Sequence, residues 1–212
     1  MSVVVVAGEH RWPLLHGQDP EDLLAEHGWV GEPVRADLDA EGRIQVHYSG
    51  AGTGTPRPPV SIEPGQHGSR IHQRVAAYAI VTDGDRLLLS QLADWIRGAA
   101  GMWTLPGGGI DPGEHPVDAV VRECHEETGQ QVVVDELVQV QSQRRQGFEP
   151  EEDFHAVRLI YRAHCPRPTT ARVLEVDGST GAAAWVPLAE LDDLPQAWMI
   201  GKASPFLPRG DA

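Results

Sequence analysis

Three carboxylates crowd the run "RECHEETG": Glu123, Glu126 and Glu127, at offsets of three and four. In a helix of roughly 3.6 residues per turn such offsets place side chains side by side. Like charges so spaced repel by a few tenths of a kcal/mol per pair, so a cation belongs among them. Just upstream, "LPGGGIDPGE" sets Gly107, Gly108 and Gly109 in a row. A loop of this composition lets backbone approach phosphate oxygens, or turn sharply enough to deliver a carboxylate to a helix face. Hard oxygen ligands suit Mg²⁺, which keeps several waters and is held by a few carboxylates plus the phosphates of its substrate. The competing reading of three glutamates alone is a solvated acidic face. The glycine loop directly ahead of them weighs toward a metal-assisted phosphate site.

A helix must carry the carboxylates. Pro116 suits a first helical residue and Gly129 a left-handed stop, with no breaker inside "VDAVVRECHEET". The spacing predicts that Val117, Val120, Val121 and Cys124 face the core while the three glutamates converge on another face. Around the helix, "RVAAYAIV" and "RLLLSQL" flank "TDGD", a hairpin signal. Further strands are expected at "QVVVDELVQVQS", "HAVRLIYRAHC" and "AAAWVPL", and a short helix at "LAELDDL". Before residue 70 the texture differs: a Val strand, a short capped helix in "DPEDLLAEHGW", a strand-like "RIQVHYSG", then "GAGTGTPRPPVSIEPGQHGS", whose Gly, Pro, Thr and Ser content reads as a linker or long loop. No internal repeat is found. The expectation is an α+β protein divided into an appendage with linker, 1–68, and a main domain, 69–212.

Composition narrows the function. With 31 acidic against 17 basic residues in 212, the net charge of −14 argues against a nucleic-acid polymer as the main partner, because such binding needs clustered Lys and Arg. "VVVV" is too short for a signal segment and no run approaches a membrane span, so the reading is a soluble, cytoplasmic protein. Cys124 and Cys165 do not make a disulfide framework. The ten histidines show no ligand spacing with these cysteines that would make a zinc site.

Taken together, Gly108, five residues, Glu114, seven residues, then Arg122-Glu123-Cys124-His125-Glu126-Glu127-Thr128-Gly129-Gln130 resemble the Nudix box, G-x5-E-x7-R-E-U-x-E-E-x-G-U, with U a bulky apolar residue. Seven fixed positions make a chance match on the order of one in a billion per window, so the resemblance is specific. It is expected to run from about Arg70 through "WVPLAEL". Cys124 and Gln130 depart from the two apolar positions, which bears on local packing rather than on the ligand positions. The resemblance implies an α/β/α sandwich with a mixed sheet and a catalytic loop-helix. It implies hydrolysis of a nucleoside diphosphate linked to another moiety, a nucleoside triphosphate or a nucleotide sugar such as ADP-ribose. Mg²⁺ or Mn²⁺ would be bound by Glu123, Glu126 and Glu127 with Glu114 as auxiliary ligand, and Arg122 would orient a box carboxylate. The alternative is a non-catalytic sensor of the same fold that binds a nucleotide-like metabolite, although the box lacks none of its carboxylates.

Residues outside the box fill the remaining roles. The acidic stretch "FEPEED" offers Glu149, Glu151, Glu152 and Asp153 as candidates for a general base, of which Glu152 is chosen; the plain reading is a solvated acidic turn. Trp103 and Phe148 are candidates to stack on a base, against a core or rim role. Arg144 and Arg145 are candidates to clamp a phosphate, against ordinary strand-end arginines. The expected partner is a nucleotide-type small molecule, with no membrane and with a homodimer left open.

Overall fold

An apolar run that never alternates should make a strand buried on both faces, and "VVVVA" does so: β1, Val3–Ala7, is buried at all five positions. The computed structural model describes residues 1–61, 70–146, 152–176 and 178–208. After β1 come β2 (His10–Pro13), α1 (Pro20–Glu26), β3 (Trp29–Leu38) and β4 (Ile44–Gly52). These strands form a sheet in the order β2-β1-β4-β3. β1 and β4 run parallel, from Val3↔Ile44 to Ala7↔Tyr48. The helix between them starts as its sequence dictates. Asp19 accepts from the Glu21 N–H, Pro20 takes the first turn, and Leu23 and Leu24 are buried. Strand β3 was not anticipated, because Gly31 and Pro33 interrupt it. Both have a place: a Cβ on Gly31 would stand 1.9 Å from the Ser49 carbonyl oxygen, and the register with β4 shifts between Pro33 and Arg35, where proline has no N–H to give.

The second sheet is built on β5 (Arg70–Asp83), β6 (Arg86–Leu92), β7 (Trp103–Thr104), β8 (Gly107–Gly109), β9 (Val133–Gln146), β10 (Glu152–His164) and β11 (Thr180–Pro187), with α2 (Pro116–Thr128) between β8 and β9. Its order is β11-β6-β5-β10-β9, with β7 on β6 and β8 on β5. The expected hairpin is present. Asp83 pairs with Arg86 across the two-residue turn Gly84-Asp85, and Gly84 takes φ +61°. The late helix expected at "LAELDDL" is a 3-10 helix, Leu188–Asp193. Leu194 is extended because Pro195 follows it. A further helix, α3 (Trp198–Ala203), is six residues long, lacks a capping side chain and buries Met199, Ile200 and Ala203.

The chain groups into two compact units. One comprises Met1–Ala76, Gly109–Pro116 and Leu137–Leu159, and the other Ala77–Gly108, Val117–Glu136 and Ile160–Ala212. In the first unit, Gly17 N–H donates to His155 Nδ1 at 3.0 Å. That nitrogen is therefore the acceptor of a neutral ring, and Nε2–H faces Ser142 Oγ at 2.9 Å. Ser142 in turn donates to the Gln18 carbonyl at 3.0 Å. Two part-buried bonds thus tie the residues ahead of α1 to β9 and β10, and a third joins those two strands. Of the expected linker, residues 50–52 belong to β4, 53–61 have no regular structure, and 62–69 lie outside the described residues. No helix among the described residues is long and apolar enough to cross a membrane.

Candidate active site

Helix α2 has the bounds its punctuation predicts. Pro116 opens it, and Gly129 at φ +70° closes it with its N–H on the His125 carbonyl at 2.9 Å. Its buried face differs from the expected one. Ala119, Val120 and Cys124 are fully buried, whereas Val117 and Val121 are each 39% exposed. At roughly 100° per residue, Glu123 and Glu127 fall inside the arc spanned by Ala119, Val120 and Cys124. The glutamates therefore do not converge on a face opposite the core. Glu127 is only 4% exposed and Glu123 half-buried, while Glu126 is the most open of the three.

Each inward carboxylate meets a glycine. Gly107 N–H donates to Glu127 Oε2 at 2.9 Å. Gly107 itself takes φ +142°, and a Cβ there would stand 2.3 Å from the Ala77 carbonyl oxygen. At Gly108 a Cβ would lie 2.5 Å from Glu123 Oε1, so the carboxylate occupies the space that any other residue would fill. The other oxygen of Glu127, Oε1, accepts from Thr180 Oγ1 at 2.7 Å. Arg122 Nη1 bridges Glu123 Oε1 at 2.9 Å and Glu126 Oε2 at 3.2 Å. Burial pushes the Glu127 carboxyl up to about 7; the bonds from Thr180 and Gly107 oppose the shift and the charge of Glu123 adds to it. Glu123 is raised for the same first reason, opposed by Arg122. The groups that lower Glu127 are Thr180, Gly107 and Ser90, all neutral donors, so among the described residues no bonded cation meets this buried acid.

Among the described residues no three His, Cys, Asp or Glu side chains stand together as a ready ligand set. Arg122 bridges Glu123 and Glu126, and Glu127 is held by Gly107 and Thr180. The donor chemistry nevertheless fits a hard divalent cation: carboxylate oxygens, two of them with raised proton affinity because burial leaves their charge unmatched.

The other candidates lie apart in kind. In the first unit, Glu114 accepts from the Asp111 N–H at 2.9 Å and closes its own turn. A Cβ on Gly109 would meet the Arg74 guanidinium at 3.0 Å. Glu152 is the first residue of β10 rather than a loop residue, and it pairs with Arg70. Arg144 donates from Nε to Asp153 Oδ1 at 2.7 Å and from Nη2 to Oδ2; His16 also meets this buried carboxylate, at 3.0 Å. That engagement gives Arg144 a task other than the phosphate expected of it. Arg145 is exposed, with Gln143 Oε1 at 3.1 Å. Phe148, Glu149 and Glu151 lie outside the described residues. In the second unit Trp103 is half-buried, its N–H on the Pro195 carbonyl and its carbonyl on the Ala197 N–H, both at 2.8 Å.

The two departures from the box have local explanations. Cys124 is a fully buried small side chain among Ala119 and Val120, its thiol pushed up by burial. Gln130 is 1% exposed yet satisfied: Oε1 accepts from the Thr169 N–H at 3.0 Å, and Nε2 donates to Thr169 Oγ1 at 3.1 Å and to the Thr128 carbonyl at 3.2 Å. It pins the segment after β10, where an apolar residue would only have filled space. Thr180, which no motif marks, is a bonded partner of the site that sequence reasoning missed.

A family model described as the NUDIX domain matches residues 72–209. Over 54 residues the chain is 43% identical to an RNA pyrophosphohydrolase of Brucella anthropi, covering 26% of this chain and 30% of that protein. Over 67 residues it is 34% identical to the nucleoside triphosphatase NudI of Escherichia coli, covering 32% of this chain and 48% of that protein. The aligned stretches thus span less than half the length of either relative. Among solved structures, a MutT NUDIX hydrolase from Burkholderia pseudomallei shares 33% identity over 59% of this chain and 89% of that one, with a TM-score of 0.43.

Proposed function

Because the chain belongs to the NUDIX domain family, we propose that it hydrolyses a phosphoanhydride bond in a nucleoside diphosphate linked to a further group, a nucleoside triphosphate being the first candidate. The observation that carries this reading is the pair of inward carboxylates seated on the glycine loop: Glu123 in the space left by Gly108, and Glu127 on the Gly107 N–H. A fold kept only for binding has no need to bury an acid among neutral donors. The relatives named as a nucleoside triphosphatase and an RNA pyrophosphohydrolase support the class of bond. A net charge of −14 favours a mononucleotide over a strand of RNA.

Glu123, Glu126 and Glu127 would hold Mg²⁺ or Mn²⁺, with Glu114 as the box's further acid; when bound, the ion supplies charge neutralisation on the diphosphate and a lower pKa for water. The remaining work falls to the chain. Arg122 holds Glu123 and Glu126 in place through Nη1 of a guanidinium that is always charged. The Gly107 N–H fixes the orientation of Glu127. Trp103, tied at both backbone groups, offers a fixed half-open ring for a base to stack on. In the reaction, water oxygen bonds to phosphorus, the bridging P–O bond breaks, and the water proton passes to a carboxylate. Glu152 is the proposed acceptor, and E152Q tests it against E126Q through the acid limb of the pH–rate profile.

The deciding experiment is a nucleotide panel with Mg²⁺ and Mn²⁺, following phosphate and pyrophosphate. Pyrophosphate with a monophosphate identifies a triphosphate substrate, and two monophosphate products a bridged one. A 5′-triphosphate RNA oligomer turned over faster than every mononucleotide would overturn the substrate class. Binding without turnover across the panel would overturn the hydrolase reading itself.

A further inference from the structure

Thr180 stands 53 residues beyond Glu127, on a different element, yet its hydroxyl donates to Glu127 Oε1 at 2.7 Å. The strand is bent to deliver it. β11 pairs with β6 so that Thr180 faces Leu92 and Ala182 faces Gln91, with the register shifting between them. Side chains directly opposite on paired strands share a face, and consecutive residues of a strand point to opposite faces. Gln91 and Leu92 therefore point apart, and so do Thr180 and Ala182, although regular alternation would put them together. The extra residue, Gly181, turns Thr180 to the face shared by Ser90 and Leu92; the Ala93 Cα stands 3.3 Å from where a Cβ on Gly181 would be. Bulges of this kind re-aim a side chain beside a functional site.

The result is a carboxylate held at both oxygens by donors from two separate strands: Gly107 N–H of β8 on Oε2 and Thr180 of β11 on Oε1. Two such bonds fix the plane and the rotation of the group, and Ser90, on the same face of β6, adds a further neutral hydroxyl beside it. We propose that Thr180 is a positioning residue for the hydrolase, holding the Glu127 carboxylate in the orientation from which it binds the divalent cation. This inference rests on the hydrolase reading above.

The test compares wild type, T180V and T180S in the full chain. Mn²⁺ alone is titrated by electron paramagnetic resonance, kcat and KM are measured on the best substrate of the panel, and thermal midpoints are recorded without metal. Loss of the hydroxyl weakens Mn²⁺ binding about 10–100-fold, the usual cost of removing a partner that orients a metal ligand. It lowers kcat more than it raises KM, and T180S restores both. If T180V does not fold, T180A removes the hydroxyl without placing a methyl against the carboxylate and carries the same comparison. Mn²⁺ binding in T180V or T180A within twofold of wild type, with only the midpoint lowered, overturns the proposal and leaves the hydrolase reading standing. Failure of T180S to restore binding while folded overturns it too. Wild type that neither binds Mn²⁺ nor hydrolyses any nucleotide overturns both.

Discussion

Replacing Glu127 by Gln separates the carboxylate's task from its burden on the fold. The folded carboxyl titrates at about 7 against an ordinary 4.5, because burial disfavours its charge. A raised acid stabilises the fold fully below its unfolded value, and that contribution drains away as pH rises from 4.5 to 7. At 1.36 kcal/mol per unit the loss is about 3 kcal/mol above pH 7. E127Q has no proton to lose, and its amide satisfies the same partners: the oxygen takes the Gly107 N–H and the NH₂ donates to Thr180 Oγ1. In chelator the variant should therefore match wild type at pH 4.5 and exceed it at pH 8. For a chain of this size the difference corresponds to a midpoint higher by roughly 6–12 °C. Added Mn²⁺ should raise the wild-type midpoint at pH 8 and leave the variant's unchanged. Hydrolysis should fall by at least about 10–100-fold, since a ligand of the ion is lost while Glu152 remains to take the proton. Scanning calorimetry in chelator and in Mn²⁺ at both pH values makes the comparison. An E127Q midpoint equal to or below wild type at pH 8 refutes the account of the buried acid, and near-normal turnover refutes its place in the site.

Three further outcomes follow from the same contacts. Gly108→Ala puts a methyl where Glu123 Oε1 now lies, 2.5 Å from the new carbon, so it should cost about 1–3 kcal/mol by overpacking and weaken Mn²⁺ binding, read by denaturant melts and metal titration. Burial, aided by the nearby charges of His16 and Arg144, holds His155 down to about 4; its contribution is whole above pH 6.5, is lost as pH falls from 6.5 to 4, and amounts to about 3 kcal/mol. Wild type should thus lose stability across that window and H155Q should lose less, measured as midpoint against pH. Removing residues 1–68 takes away the Gly17 N–H and the Gln18 carbonyl that His155 and Ser142 use, so the shortened chain should be insoluble or melt well below the full one; a soluble chain with unchanged midpoint would show the segment to be dispensable.

The sequence carried most where a local rule sufficed. Pro116 and Gly129 bounded the helix, Gly84 the hairpin and Asp19 the first helix, because each acts on its own few residues. It failed where the deciding contact is distant. Strand β3 carries Gly31 and Pro33, which read as breakers until Ser49 and the bulge opposite β4 account for them. Thr180 carries no signal of its own, since its value lies in a register shift against β6. The bonds of the segment ahead of α1 to His155 and Ser142, more than 120 residues later, likewise carry no local signal.

The orientation of α2 shows why counting apolar residues misled. Four apolar positions, Val117, Val120, Val121 and Cys124, suggested one face, and the glutamates were given what remained. The helix instead buries Ala119, Val120 and Cys124 and takes Glu123 and Glu127 inward with them, leaving two valines half in water. Leaving two valines each 39% exposed forgoes about 0.5–1 kcal/mol each of burial, and an inward acid is costlier still unless donors meet it. Gly107 and Thr180 supply such donors, Arg122 supplies a charge to Glu123, and the raised proton affinity of Glu127 is the part of the cost they leave unmet. A helix that accepts this arrangement has been placed by its carboxylates rather than by its valines. The unmet remainder is what a divalent cation would neutralise, so in the proposed site the acid that weakens the fold above pH 7 is the one that would hold the ion.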